Sequence, residues 1–278
     1  MPRSLGLTAL LTGLILAWFA APTFAQQGAT EALSGAPAEA EGYVAHSLLP
    51  ANDVWTGDLD GMQERKRIRI LVPFSKTFYF IDKGGPSGIT YDAATEFGVW
   101  LNNRIKSENI KVSVVFIPVA RDKLLPGLAD GIGDIAAGNL TITDTRSEIV
   151  DFGHPLISGA REVLVTGPGA PAIAAIGELS GQEVFARPSS SYWEHLEALN
   201  KTLAAEGRAP IILTKIDEEL EDEDIMEMVN AGLLPWAVVD ERKADIWSRF
   251  TPAWSSAAMS SSMTAERSPG RSGRTAPC

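Results

Sequence analysis

Residues 134–146 read Asp134-Ile-Ala-Ala-Gly-Asn139-Leu-Thr141-Ile-Thr143-Asp-Thr-Arg146. The apolar run after Asp134 stops at Gly138, and Thr143 followed by Asp144 has the chemistry of a helix amino-terminal cap. The segment is a strand at Asp134 to Ala137, a turn, and a helix starting after Thr143. Working toward the amino terminus, residues 122–130 suit a short helix and Lys111 to Val119 a strand. Tyr91 to Ile105 places Ala94, Phe97, Leu101 and Ile105 on one helical face, and Ile68 to Phe74 is again a strand. Strands alternating with helices predict an α/β domain with a parallel sheet.

Toward the carboxyl terminus, Glu162 to Thr166 is extended and Gly167-Pro168-Gly169 breaks the chain. A second alternation follows: strand Glu183 to Ala186, then a helix with Tyr192, Leu196, Leu199 and Leu203 at helical spacing, closed by Gly207. Ser191 and Glu194 fit a capping box for that helix. Strands Ile211 to Ile216 and Trp236 to Val239, with helices around 224–231 and 242–250, complete the unit. The expected organisation is one lobe over 55–166, a second over 167–254, and a cleft between them. From Ser255 to Cys278 the composition turns to Ser, Ala, Arg, Pro and Gly, which reads as a disordered tail.

The chain has 278 residues, 45% of them hydrophobic, enough for a substantial core. Its formal charge of −11 disfavours nucleic acid as a partner. Arg3, the apolar run Leu5 to Ala20 and the ending Pro22-Thr-Phe-Ala25 have the layout of a secretory signal peptide over 1–25, cleaved before Gln26. An uncleaved anchor is the alternative. Residues 26–54 read as a flexible linker. Cys278 is the only cysteine, so no intramolecular disulfide forms.

The end of the strand before Thr141 offers amide and hydroxyl groups, and Arg146 lies in the first helical turn, where a carboxylate would meet both its planar fork and helix amides. Alternatively Arg146 pairs at the surface with Asp144 or Glu148. These motifs, with Gly88-Ile-Thr-Tyr-Asp92 before them and Val150-Asp151-Phe152 after, resemble the family 3 periplasmic solute-binding proteins. Within that family the segments Gly57-Asp-Leu-Asp-Gly-Met62, Thr77-Phe-Tyr-Phe80 and Glu221-Asp-Glu-Asp224 followed by Met228-Val-Asn-Ala-Gly-Leu-Leu234 are most similar to the amino-terminal domain of membrane-bound lytic murein transglycosylase F.

The resemblance implies an α/β, two-lobed periplasmic-binding-protein (type II) fold. It ends near Phe250, so the carboxyl-terminal return to lobe 1 is not traced and that lobe is expected to be truncated. It also implies a small ligand with a carboxylate and an ammonium group, an amino acid or a peptidoglycan-derived peptide, held by Asn139, Thr141 and Arg146 in lobe 1. Ser190 would contribute from lobe 2, with Ser191 left as the cap. Asp240 would take the ammonium, or else cap the following helix. Phe74 and Phe78 would stack on the ligand, or else pack in the core. An exported monomer serving an ABC transporter permease or a sensor follows from the same likeness, as does a domain that regulates a lytic transglycosylase. A cyclic-amino-acid dehydratase is a third reading, with Asp240 as the acid or base.

The catalytic segment of a transglycosylase is not recognisable, so the reading is of a binding protein and not an enzyme. No cofactor or metal is expected. The acidic run Asp217 to Asp224 lacks the spacing of a calcium loop and reads as a solvated helix start. His46, His154 and His195 show no metal spacing.

Overall fold

The computed structural model describes residues 54–106, 110–250 and 255–257, the last three as backbone. The expected signal peptide, nearly all of the linker, His46 and Cys278 lie outside the described residues.

In chain order the elements are α1 (Leu59–Glu64), β1 (Arg67–Val72), the strands β2 (Phe80–Asp82) and β3 (Gly85–Ser87), α2 (Ile89–Ile105), β4 (Ser113–Pro118), α3 (Leu124–Ala129) and β5 (Ile135–Ala136). They continue with α4 (Asp144–Ser147), β6 (Glu162–Thr166), β7 (Glu183–Ala186), α5 (Ser191–Ala205), β8 (Ile212–Lys215), α6 (Asp222–Asn230), β9 (Trp236–Asp240), α7 (Glu241–Trp247) and β10 (Ser255–Ala257). Among the described residues no helix is long and apolar enough to cross a membrane.

In the first lobe β1 is central, parallel to β4 on one side and β5 on the other. Its residues Ile68, Ile70, Leu71 and Val72 are all buried, as a parallel strand covered on both faces requires. Helix α2 crosses between β1 and β4 and buries Ala94, Gly98 and Leu101. These pack with Ile68, Ile70, Val72, Tyr79 and Val114 into one core. The β2–β3 hairpin turns at Lys83 and Gly84, with φ of 48° and 84°, the left-handed pair that a tight two-residue hairpin demands.

The second lobe is built on β6, antiparallel to β9, and on the parallel pair β7–β8. Alternation along β6 sends Val163 and Val165 to one core with Met226 and Val229 of α6. Leu164 goes to the other face, with Leu196 and Leu203 of α5 and with Trp236.

Two expectations change here. Because β6 pairs with β9, the second lobe begins by Glu162 and not at Gly167. The Gly167–Gly169 break is a turn inside it, with Gly167 N–H donating to Pro235 O at 2.8 Å. A Cβ on Gly167 would meet Val229 O at 2.5 Å, which explains the glycine. The tail expected from Ser255 opens with a strand: β10 runs antiparallel to β6, with Ser255 opposite Thr166 and Ala257 opposite Leu164. An unpaired β6 edge offers main-chain partners to any residues the chain returns, whatever their side chains.

Candidate functional site

The carboxyl ends of several strands converge where the lobes face one another. Asn139 follows β5, Arg121 follows β4, Arg187 follows β7 and Asp240 closes β9, the placement in which α/β sheets bind ligands. They line a cavity of about 310 Å³ that also takes Thr141 and Arg146 from the first lobe and Ser189, Ser190, Ser191 and Glu194 from the second. That volume suits a small organic molecule.

Thr143 caps α4 as the sequence suggests, its hydroxyl accepting from Arg146 N–H at 3.3 Å. The Arg146 side chain is buried and pairs with neither Asp144 nor Glu148. Nε donates to Glu194 Oε1 (2.9 Å), Nη1 to Thr141 O (3.1 Å) and Nη2 to Ser189 O (2.7 Å), so two of the three acceptors come from the second lobe. Asn139 sits at φ 53°, a left-handed conformation that asparagine tolerates better than most side chains.

The cap of the helix falls on Ser190 and not on Ser191. Ser190 is the cap of α5: its hydroxyl accepts from Trp193 N–H at 3.2 Å and donates to Arg187 O at 2.7 Å. Ser191 Oγ is the freer to face the first lobe, 3.3 Å from Thr141 Oγ1 and 3.0 Å from Glu162 Oε1. With the cap one residue earlier, Glu194 falls beyond the capping-box position and turns to Arg146.

Asp240 caps the following helix and also borders the cavity. Its Oδ1 accepts the Arg242 and Lys243 amides at 2.9 and 3.2 Å, capping α7, while the residue lines the cavity. Burial raises its carboxyl above the ordinary aspartate value, against the pull of those amides. Neither aromatic lines the cavity. Phe74 is 57% exposed and borders a second, smaller cavity, and the Phe78 ring lies 5.0 Å from Lys243 Nζ.

The acidic run is not solvated throughout. Glu221, Asp222 and Glu223 are buried at the start of α6. Glu221 takes Arg121 of the first lobe in a bidentate pair, Nε to Oε1 at 2.7 Å and Nη2 to Oε2 at 2.5 Å. Asp222 accepts from Arg187 Nη2 (2.5 Å), Lys243 Nζ (2.8 Å) and Tyr192 OH (2.8 Å). Glu223 Oε1 accepts from Ser75 Oγ at 2.8 Å. Burial alone would raise the Asp222 carboxyl, but Lys243, Arg187 and Arg121 hold it well below the usual carboxylate range. Three cations balance three anions out of water, as buried charge requires.

His195 Nδ1 lies 2.9 Å from Glu162 Oε1, and that carboxylate raises the imidazole above its ordinary value despite partial burial. Among the described residues no three His, Cys, Asp or Glu side chains are arranged to hold a metal ion.

Arg121, Arg187 and Lys243 are not singled out in the sequence, and Glu194 reads there only as part of a capping box. For Arg121 and Arg187 a signal existed, the first charged residue after a strand, within three positions of its end. For Glu194 and Lys243 none did, since their partners lie 48 and 21 positions away.

Residues 70–246 match the bacterial extracellular solute-binding proteins, family 3. Membrane-bound lytic murein transglycosylase F of Shewanella halifaxensis is 28% identical over 179 residues, 64% of this chain and 34% of that protein. Its counterpart in Idiomarina loihiensis is 23% identical over 192 residues, 69% of this chain and 39% of that protein. The chain thus spans little more than a third of the length of these curated relatives. Among solved structures, an ancestral arginine-binding protein bound to arginine matches with a TM-score of 0.56 and 23% identity, covering 69% of this chain and 78% of that one. Holo ArgBP from T. maritima matches with a TM-score of 0.55 and 19% identity, covering 72% of this chain and 80% of that one. The two lobes, their sheets and this match together establish that the chain belongs to the family 3 bacterial extracellular solute-binding proteins and has their two-lobed type II fold.

Proposed function

We propose that the cleft holds a small amino-acid-like molecule, its carboxylate on Arg146 with help from Thr141 and Ser191, and its ammonium on Asp240. The observation that carries this reading is that Arg146 and Asp240, from opposite lobes, line the same cavity of about 310 Å³. A fixed cation and a carboxylate facing each other match a zwitterion, and a ligand touching both would hold the lobes together. Asn139 and Ser190 line the same cavity from opposite lobes. The chain would act outside the cytoplasm as a monomer, delivering its ligand to an ABC transporter permease or reporting occupancy, without catalysis of its own.

Calorimetric titration of the full chain with the common L-amino acids and with muropeptides tests this. Arg146→Ala is expected to abolish binding of a carboxylate ligand, and Arg146→Lys to rescue it poorly because lysine lacks the bidentate fork. Binding undiminished in Arg146→Ala would exclude the assignment.

The names and greater length of the relatives favour a second reading, a ligand-binding domain that regulates a lytic transglycosylase-like activity. Ligand-dependent peptidoglycan lysis by this chain joined to the remainder of such a relative would support it.

A further inference from the structure

Arg146 already holds a carboxylate. Of the five N–H donors of its guanidinium, three are engaged, and the Nε contact is an ion pair with Glu194 across the cleft. The two partners differ in freedom. Arg146 has a side chain 7% exposed, anchored on its own lobe by Thr141 O. Glu194 has a side chain 28% exposed in the first turn of α5 and can swing into water. The anion is therefore the movable member of the pair. Together with Ser189 O and Ser191, this contact closes the lobes on one another through the protein's own groups.

We infer that Glu194 is an internal competitor for the ligand carboxylate on Arg146, and thereby the residue that decides which molecules the cleft admits. The inference rests on the binding reading above and sharpens it. A molecule bearing a carboxylate displaces Glu194 into solvent and takes over its bond. A cationic or neutral molecule has nothing to exchange, and meets lobes already pinned together. Competition lowers the apparent affinity of every carboxylate by the fraction of molecules in which Glu194 is seated. A partly exposed, charge-assisted pair of this kind corresponds to about a three- to tenfold effect.

The test uses the full chain labelled with nitrogen-15 arginine, following the Arg146 Nε–H resonance, which is assigned by its loss in Arg146→Lys. Acetate serves as the probe, so that no native ligand need be known. Glu194→Gln is expected to move the resonance without any addition, and to lower the acetate concentration at half-shift by about three- to tenfold. Glu194→Ala, which cannot hydrogen-bond, should do the same. If the resonance stays in place in both variants, or if acetate binds them equally or more weakly than the parent, Glu194 is a fixed tie between the lobes and the inference is overturned. L-Glutamine and L-arginine are titrated in parallel. Should neither bind while acetate behaves as expected, the amino-acid reading falls and the role of Glu194 stands.

Discussion

Replacing Asp222 by asparagine keeps the volume and removes one charge. Asp222 is 2% exposed, and so are its cationic partners Arg187 and Lys243. The substitution strands two cations that cannot reach water. Removing one member of such a buried set costs about 3–5 kcal/mol, against about 1 kcal/mol or less for an exposed pair. A domain is stable by only about 5–15 kcal/mol, so Asp222→Asn should shift the urea midpoint far and leave the m-value unchanged. Adding Lys243→Met removes one stranded cation and should recover part of the loss, which a double-mutant cycle measures.

Acid adds an independent check. The folded Asp222 carboxyl lies below its unfolded value of about 3.9, so its stabilisation is complete above that pH and is lost as the pH falls further. The parent should weaken faster than the variant below about pH 4. A loss below about 1 kcal/mol on Asp222→Asn, with no difference in acid slope, would refute the reasoning that the charge is out of water.

Other expectations follow from the same structure. Gly88 has φ 118°, and a Cβ there would strike the Phe78 carbonyl, so Gly88→Ala should cost at least about 2 kcal/mol, read by urea denaturation. The folded His195 lies above its unfolded value of about 6.5, so the stabilisation it contributes is full below that pH and lost as the pH rises through the folded value. Melting temperatures of the parent and His195→Gln should accordingly differ more at pH 6 than at pH 9. Deleting Ser255–Cys278 removes β10 and should cost about 1–2 kcal/mol, with faster amide exchange in Leu164–Thr166. Unchanged exchange would show that the pairing contributes nothing.

What could be read in advance was local. Glu162–Thr166 and Glu183–Ala186 were legible as strands to the residue because their apolar character is bounded by turns on both sides. The β2–β3 hairpin was not, since three residues a side and Pro86 in the second strand give no alternating pattern. Helix α1, six residues with Gly61 in their midst, was equally silent. The cavity residues Asn139, Thr141, Arg146 and Asp240 came from a strand-end pattern and a family likeness. The acidic run misled because its burial depends on Arg121, a hundred residues away, and no window of sequence holds both partners. The lobe boundary misled for the same reason: Gly167-Pro168-Gly169 announces a turn, but which sheet β6 joins is decided by β9.

The start of α6 has a consequence for how this protein can vary. Glu221, Asp222 and Glu223 are consecutive: Glu221 is the extended cap of α6, and the helix turns Glu223 about 100° from Asp222. They accordingly reach outward like spokes: Glu221 to Arg121 and Glu223 to Ser75 in the first lobe, Asp222 to Arg187, Lys243 and Tyr192 in the second. Inserting or deleting one residue in the loop before Glu221 would rotate all three spokes at once and leave six charged side chains mismatched in the dry interior. Substitutions at the exposed Asp217 and Glu219 nearby should be nearly silent. Length, rather than composition, is what this stretch of chain cannot change.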